Sequence, residues 1–511
     1  MHIADLLLPL DEASGVPLYR QVYTGLRDAI LGGRLPPGAR IPSTRRLAAY
    51  LAVSRTTVLT AFDQLAAEGF LIATVGWGSR ISEHLPLRPP APDGNGPAGA
   101  GTPARAGTPD EDGRPHEEGT PREILSACGR SLIDLPRPSR PLSPGPRPFR
   151  TGQPPVDAFP LEVWRRLAAR CHRALSTADL YHGSPGGLQR LREAIVTIAV
   201  ARGIRCEPRQ VLVLSSAQEA MQLVCQMLLD PGDRAWLEDP AWSGGHAALL
   251  AAGARVVPIP VDDAGMRVDV GIASAPEARL AYVTPSHQYP MGVTMSLERR
   301  TLLLSWARER GAWILEDDYD SEFRYSDRPL LALQGLDRSG RVIYVGTFNK
   351  TLFPAVRLAY LILPDGLIDG FRRARGIGGQ HAPPIDQAVL SDFITEGHYA
   401  RHIGHVRTIG RERRDSLVSA VRERLDCLEL THTDTGLHAV AWLPPGTDDR
   451  RVSGAALRQG VEAAALSAFY VGPCPRPGLV LGYGSLTTAQ ITDGVARLAS
   501  AFSEAARPAS P

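Results

Sequence analysis

Lysine is all but missing from this chain: it has 511 residues and 56 basic side chains, yet Lys350 is the only lysine, and the rest are arginine. Cysteine is sparse as well. The six cysteines (Cys128, Cys171, Cys206, Cys225, Cys427 and Cys474) form no CxxC pair and no Cys/His ligand spacing. That pattern signals neither a disulfide framework nor a zinc site, and it suits a reducing cytoplasm. No run of about 18 uncharged apolar residues occurs, so no membrane span and no membrane partner are expected. The opening MHIADLLLPLDEASG carries no basic stretch ahead of an apolar run that Pro9 interrupts, so it does not read as a secretion signal. A cytoplasmic location is expected. The net charge is only +2, so any affinity for nucleic acid must come from a local patch rather than a chain-wide field.

Aromatic residues are absent between Trp77 and Phe149, and residues 86–122 hold nine prolines and seven glycines. Such a stretch buries too little apolar surface to offset its ordering entropy and reads as a linker. With 43% hydrophobic residues over the whole chain supporting a sizeable core, three parts are expected. They are a small module over 13–83, a Pro/Gly-rich linker over 84–133, and a large unit over 134–505.

In the first part, LYRQVYTGLRDAIL (residues 18–31) has apolar residues at helical spacing, and the glycines and prolines that follow stop it. Ser43 is placed to cap a helix running to about Leu51, and Ser54 a second helix through Ala67. Two short helices joined by so tight a turn form a helix-turn-helix, and FLIATVGWGSRIS reads as a two-stranded wing. Between Val16 and Ser82, eight arginines face only Asp28, Asp63 and Glu68. Those arginines coincide with the helix N-termini, where backbone N–H groups also favour phosphate, so double-stranded DNA is the expected partner.

In the last part, the runs VLVL, RAWLED, RVVPIPV, RLAYV, AWILEDD, RVIYVGT and LAYLIL alternate with helical segments. Such runs predict a mostly parallel α/β sheet covered on both faces, with ligands at the carboxyl ends of its strands. The residues just past those ends include Ser216-Ala217-Gln218, Thr284, Asp317, Tyr319, Asp320, Thr347, Asn349 and Lys350. Ser216-Ala217-Gln218 opens a helix and so offers free N–H groups to a phosphate, to which Arg357 adds a charge. Asp317 can hold a protonated ring nitrogen, Tyr319 a phenolate oxygen, and Trp242 a flat ring. Together with one lysine able to form a Schiff base, this describes a site for pyridoxal 5′-phosphate (PLP). Arginine cannot take that role, because its guanidinium stays protonated.

PLYRQV, IPSTRRLA, VSRTTV and QLAAEGFL resemble the GntR-type winged helix. DLYHGSPGGLQRLREAI, EDPAW, VTPSHQYPMG, EDDYDSEFRY, GTFNKTLFPAVRLAY and GLVLGYGSL resemble the fold-type-I, class I/II aminotransferase domain, with its smaller C-terminal α/β subdomain. In this order the two resemble MocR/GabR-type transcription regulators. The resemblance implies DNA contacts by Arg45, Arg55 and Thr57, aided by Ser54, Thr56 and a wing tip near Gly76. It implies Lys350 as the Schiff-base lysine, with Asp317 and Tyr319 on the ring and Thr347, Arg357, Ser216, Ala217 and Gln218 on the phosphate. Trp242 would stack on the ring, His287 and Gln288 would either face the cofactor or its ligand or serve a structural role, and Tyr181 would reach the neighbouring site of a homodimer.

The chain also departs from that pattern. Where aminotransferases of this fold hold the substrate carboxylate with an arginine, GLVLGYG has Val480, and the nearby Arg476 has no assigned place. Two functions are therefore expected in competition. One is a regulator whose PLP domain senses a small molecule, either PLP itself or an amine or amino acid. The other is a working aminotransferase with an appended DNA-binding module.

Overall fold

The computed structural model describes residues 10–11, 14–74, 78–83, 125–135, 147–325, 331–379, 381–431 and 434–506. The chain falls into two compact units that divide between residues 116 and 117. Among the described residues, no helix is long and apolar enough to cross a membrane.

The first unit holds three helices, α1 (Leu18–Leu31), α2 (Thr44–Leu51) and α3 (Arg55–Ala67), and a hairpin of β1 (Leu71–Thr74) and β2 (Gly78–Ile81). Val22, Leu26 and Ile30 recur every fourth residue on α1 and pack in one core with Val58, Phe62 and Leu65 of α3. Each such burial stabilises by roughly 1.5–3 kcal/mol. Ser43 and Ser54 cap α2 and α3 by accepting from the N–H groups of Arg46 and Thr57. The turn between them passes through Ala52, held at φ +53°. The hairpin pairs antiparallel from Leu71↔Ile81 to Thr74↔Gly78. The expected wing-tip contact at Gly76 lies outside the described residues.

The second unit is built on an eight-stranded sheet in the order β3-β10-β9-β8-β7-β4-β5-β6. The strands are β3 (Val211–Leu214), β4 (Arg234–Asp239), β5 (Arg255–Asp262), β6 (Gly265–Met266), β7 (Leu280–Val283), β8 (Trp313–Asp318), β9 (Val342–Thr347) and β10 (Ala359–Ile362). All four residues of β3 are buried. Val211 and Val213 join one core and Leu212 and Leu214 another, so helices cover both faces. Strands β5, β4, β7, β8 and β9 run parallel, whereas β10 lies antiparallel between β9 and β3. The run LAYLIL does not reveal that reversal. Its cause is the connection: residues 348–358 contain only a 3₁₀ turn at Pro354–Val356, too little for the helical crossover that a parallel return needs.

A second, antiparallel sheet has the order β11-β12-β14-β13, formed by β11 (Glu429–Leu430), β12 (His438–Trp442), β13 (Ala464–Ala465) and β14 (Gly478–Gly482). Asp239, at the end of β4, ties the two sheets together by accepting from the N–H groups of Val471 (2.8 Å) and Gly472 (3.1 Å).

Candidate cofactor and DNA sites

The short return from β9 to β10 carries the unusual lysine. Lys350 is half-buried at the carboxyl end of β9, and its Nζ donates to the Gly152 carbonyl at 2.8 Å. Gly152 sits at φ +72°, which favours glycine, and a Cβ there would lie 2.7 Å from Nζ, so any side chain would displace the amine. Burial pushes the Lys350 amine below its ordinary pKa, against the attraction of Asp320 and Asp317. A lowered amine pKa favours the neutral, nucleophilic form.

Asp317, near the end of β8, accepts from the Tyr282 hydroxyl at 2.8 Å through Oδ2, while its Oδ1 is buried without a hydrogen-bond partner. Burial pushes this carboxyl up to about 7. A buried acceptor left open in this way suits a cationic N–H donor such as a protonated ring nitrogen. At the other end of the cavity, the helix Ala217–Leu228 begins with Ser216, whose Oγ accepts from Glu219 N–H at 3.1 Å. The N–H groups of the first turn, at Ala217 and Gln218, have no intrahelical partner and meet the positive end of the helix dipole.

One cavity of about 320 Å³ is lined by Ser216, Ala217, Gln218, Trp242, Asp317, Tyr319, Thr347, Lys350 and Arg357. Nine of the twelve cofactor candidates named from the sequence thus share one space, and their donor set fits PLP: anion donors at one end, an open carboxylate oxygen, an aromatic face and an amine. The structure places the other three elsewhere. His287 lies behind the wall, where its Nδ1 meets Asp320 (3.0 and 3.1 Å) and the Tyr319 hydroxyl (2.9 Å). It is closely covered there, since a Cβ at Gly436 would come within 1.9 Å of it. The Gln288 amide is spent on the Pro240 carbonyl (2.8 Å) and Glu238 (3.3 Å), so it builds the wall rather than facing a ligand. Tyr181 is 75% exposed and borders a separate depression with His182 and His381.

Sequence reasoning missed other lining residues: Thr151, Gly152, Tyr282, Tyr289, Leu437 and His438. Strand alternation carried a signal for Tyr282, which pairs with Leu315 and so shares a face with Asp317. Gly152 and His438 arrive from distant segments with no such pattern. Among the described residues, Arg357 is the only arginine on the cavity. Val480 is fully buried against Val440, Leu466 and Phe469. Arg476 pairs with Glu429 at 2.7 Å and lies over the Trp442 ring, so it does not supply the missing carboxylate anchor.

On the first unit, Arg45, Ser54, Arg55 and Thr56 are exposed and Thr57 is half-buried. The Thr57 N–H and hydroxyl are engaged by Ser54 at 3.0 and 2.8 Å. Arg45 and Arg55 make no ion pair among the described residues, which leaves both guanidinium groups available at the amino ends of α2 and α3.

Comparisons with known proteins agree with this division. Residues 18–81 match the family described as bacterial regulatory proteins, gntR family, and residues 148–495 match aminotransferase class I and II. The probable rhizopine catabolism regulatory protein MocR of Rhizobium meliloti is 38% identical, over 97% of this chain and 96% of its own length. The HTH-type pyridoxine biosynthesis transcriptional regulator PdxR of Corynebacterium glutamicum is 31% identical, over 94% of this chain and 95% of its own. Among solved structures, the α-aminoadipate aminotransferase LysN of Thermus thermophilus, complexed with N-(5′-phosphopyridoxyl)-L-leucine, is 26% identical. It superposes with a TM-score of 0.65, covering 75% of this chain and 96% of its own.

Proposed function

We propose a cofactor-dependent sensor in this chain, which belongs to the MocR/GabR-type transcription regulators, a gntR-family module joined to a class I and II aminotransferase domain. In this reading residues 13–83 bind an operator, 84–133 link, and 134–505 hold PLP and receive a small-molecule signal in the cytoplasm. The observation that carries it is the buried Asp317 Oδ1, unpaired in the cavity that also contains the chain's one lysine.

Lys350 would attach the cofactor covalently, Asp317 would keep its ring nitrogen protonated, Tyr319 would meet its ring oxygen and Trp242 would cover its face. Ser216, Thr347, Arg357 and the N–H groups of Ala217 and Gln218 hold its phosphate. Bound there, PLP supplies an aldehyde that exchanges between the lysine and other primary amines. Tyr181, exposed together with Leu180, supports a homodimer in which it reaches the partner's cavity.

Sensing is favoured over turnover because Arg357 is the only arginine on the cavity among the described residues. If it serves the phosphate, an amino-acid carboxylate has no bidentate anchor. The effector is then PLP itself, an amine or an amino acid. A ligand that favours one arrangement of the dimer shifts operator affinity by its differential binding.

The test is a titration of operator DNA with and without PLP and a panel of amines and amino acids, on wild type and Lys350→Ala. Wild type should be yellow and change its DNA affinity with at least one ligand, and the variant should lose both properties. A colourless wild type that cannot be loaded refutes the cofactor reading. Sustained keto-acid production would establish the aminotransferase instead.

A further inference from the structure

A second and larger cavity, about 770 Å³, opens between the helix Gln189–Ala199, residues 321–324 and the first half of the helix His398–Arg424. We propose that it binds a small organic polyanion, at a site separate from the Lys350 cavity. Its lining is strongly unbalanced in charge: Arg202, Arg324, Arg407 and Arg411 against the single carboxylate of Glu322 among the described residues.

The five groups are not equivalent. Arg202 is neutralised from behind by Asp318 at 2.9 Å. Arg407 and Arg411 are exposed, lie one helical turn apart, and each donates one bond to a backbone carbonyl, of Glu322 (2.5 Å) and Tyr325 (2.9 Å). Those bonds aim the side chains without cancelling their charge. Arg324 has no ion-pair partner among the described residues, its Nε is buried without a hydrogen bond, and burial holds its pKa below the ordinary value. Glu322 does little to offset this excess: it accepts from the Tyr399 hydroxyl at 3.3 Å, and burial raises its carboxyl to about 7.

A separate observation points the same way. The Ser321 hydroxyl, on a residue only 9% exposed, lines this cavity and has no partner, so a donor is waiting beside the arginines. Unpaired guanidinium groups and a free hydroxyl converging on one space match the oxygens of a phosphate or carboxylate cluster. A cation finds only a partly protonated Glu322. An apolar ligand would leave the Arg324 Nε and the Ser321 hydroxyl unsatisfied.

The two cavities are distinct but close in the sheet. Asp317 and Asp318 are successive residues of β8 and point to opposite faces, one to each cavity's surroundings. Losing one arginine from an oxyanion site removes a charge-assisted pair of hydrogen bonds, an effect on the order of tenfold or more in affinity.

Calorimetric titration of the full-length chain with pyrophosphate, and separately with citrate, tests the site and distinguishes phosphate from carboxylate recognition. At least one probe should bind, and Arg324→Gln and Arg411→Glu should each weaken that binding tenfold or more. Arg357→Gln, which alters only the Lys350 cavity, should leave it unchanged. Binding of neither probe overturns the proposal, as does binding that survives both cleft substitutions or disappears in Arg357→Gln. Unfolding temperatures without anion report whether the variants fold. Arg411 is exposed, so its variant decides the matter alone if Arg324→Gln does not fold.

Discussion

Asp317→Asn should stabilise the cofactor-free protein at alkaline pH while spoiling its hold on PLP. The Asp317 carboxyl is wholly buried and is pushed from 3.8 up to about 7, with desolvation the leading cause. A carboxyl whose folded pKa exceeds its unfolded value takes up a proton on folding. Its burial is therefore cheapest below pH 3.8, and stability is lost as pH rises toward 7. With about 1.4 kcal/mol per pH unit, the cost is about 4 kcal/mol at pH 8 and about 2 kcal/mol at pH 5.

An asparagine keeps an acceptor for the Tyr282 hydroxyl and never ionises, so it removes that cost. At about 2.1 cal/mol/K of unfolding entropy per residue, a unit of this size gains roughly 5 °C in melting temperature at pH 8 and roughly 2 °C at pH 5. Thermal melts of cofactor-stripped wild type and variant at the two pH values measure this. A variant that melts lower at pH 8, or a difference that does not shrink toward pH 5, refutes the reasoning. The same variant should bind PLP more weakly, because its one oxygen is spent on the Tyr282 hydroxyl and an uncharged amide N–H group, itself a donor, then faces the ring nitrogen.

Gly152→Ala places a methyl group 2.7 Å from the Lys350 Nζ at a left-handed φ, so it should abolish or greatly slow PLP loading, read as loss of visible absorbance. Operator binding by the unloaded protein should be unchanged. Arg55→Ala should weaken operator binding uniformly across sequences if the contact is to phosphate. It should then lower the salt slope by about 1 in a filter or anisotropy assay, without altering the absorbance of the PLP-loaded protein.

Much of this was legible in the sequence because it follows chain-local rules. Helix periodicity and serine caps gave α1 to α3, and unbroken apolar runs gave the strands of the large sheet. The polar residues just beyond β3, β8 and β9 lie on one cavity because parallel strands end on the same side. What was not legible depends on long-range geometry. The reversal of β10 follows from the length of a loop, not from its composition. Gly152 and His438 reach the site from segments far away in the chain. His287 and Gln288 sit next to ligand-facing positions in sequence, but their hydrogen bonds to Asp320, Glu238 and Pro240 turn them into the wall. An arginine cluster spread over residues 202, 324, 407 and 411 has no sequence pattern at all.

The charges left over once PLP is placed favour amines over amino acids as effectors. In the proposed PLP-bound form, Arg357 and the helix at Ala217 would serve the phosphate, and Lys350 the covalent attachment. The remaining ionisable lining includes Asp320, held against His287 Nδ1 at 3.0 Å. An ammonium approaching this space meets a carboxylate, whereas an α-carboxylate meets the same negative group and, among the described lining residues, no guanidinium besides Arg357. A missing charge-assisted pair corresponds to about 1.5–3 kcal/mol, or roughly tenfold to a hundredfold in affinity. Paired titrations of an amine and its parent amino acid, followed by absorbance of the PLP-loaded protein, should therefore rank the amine higher by at least tenfold. Equal affinities would mean that another group, beyond the residues on this cavity, anchors the carboxylate.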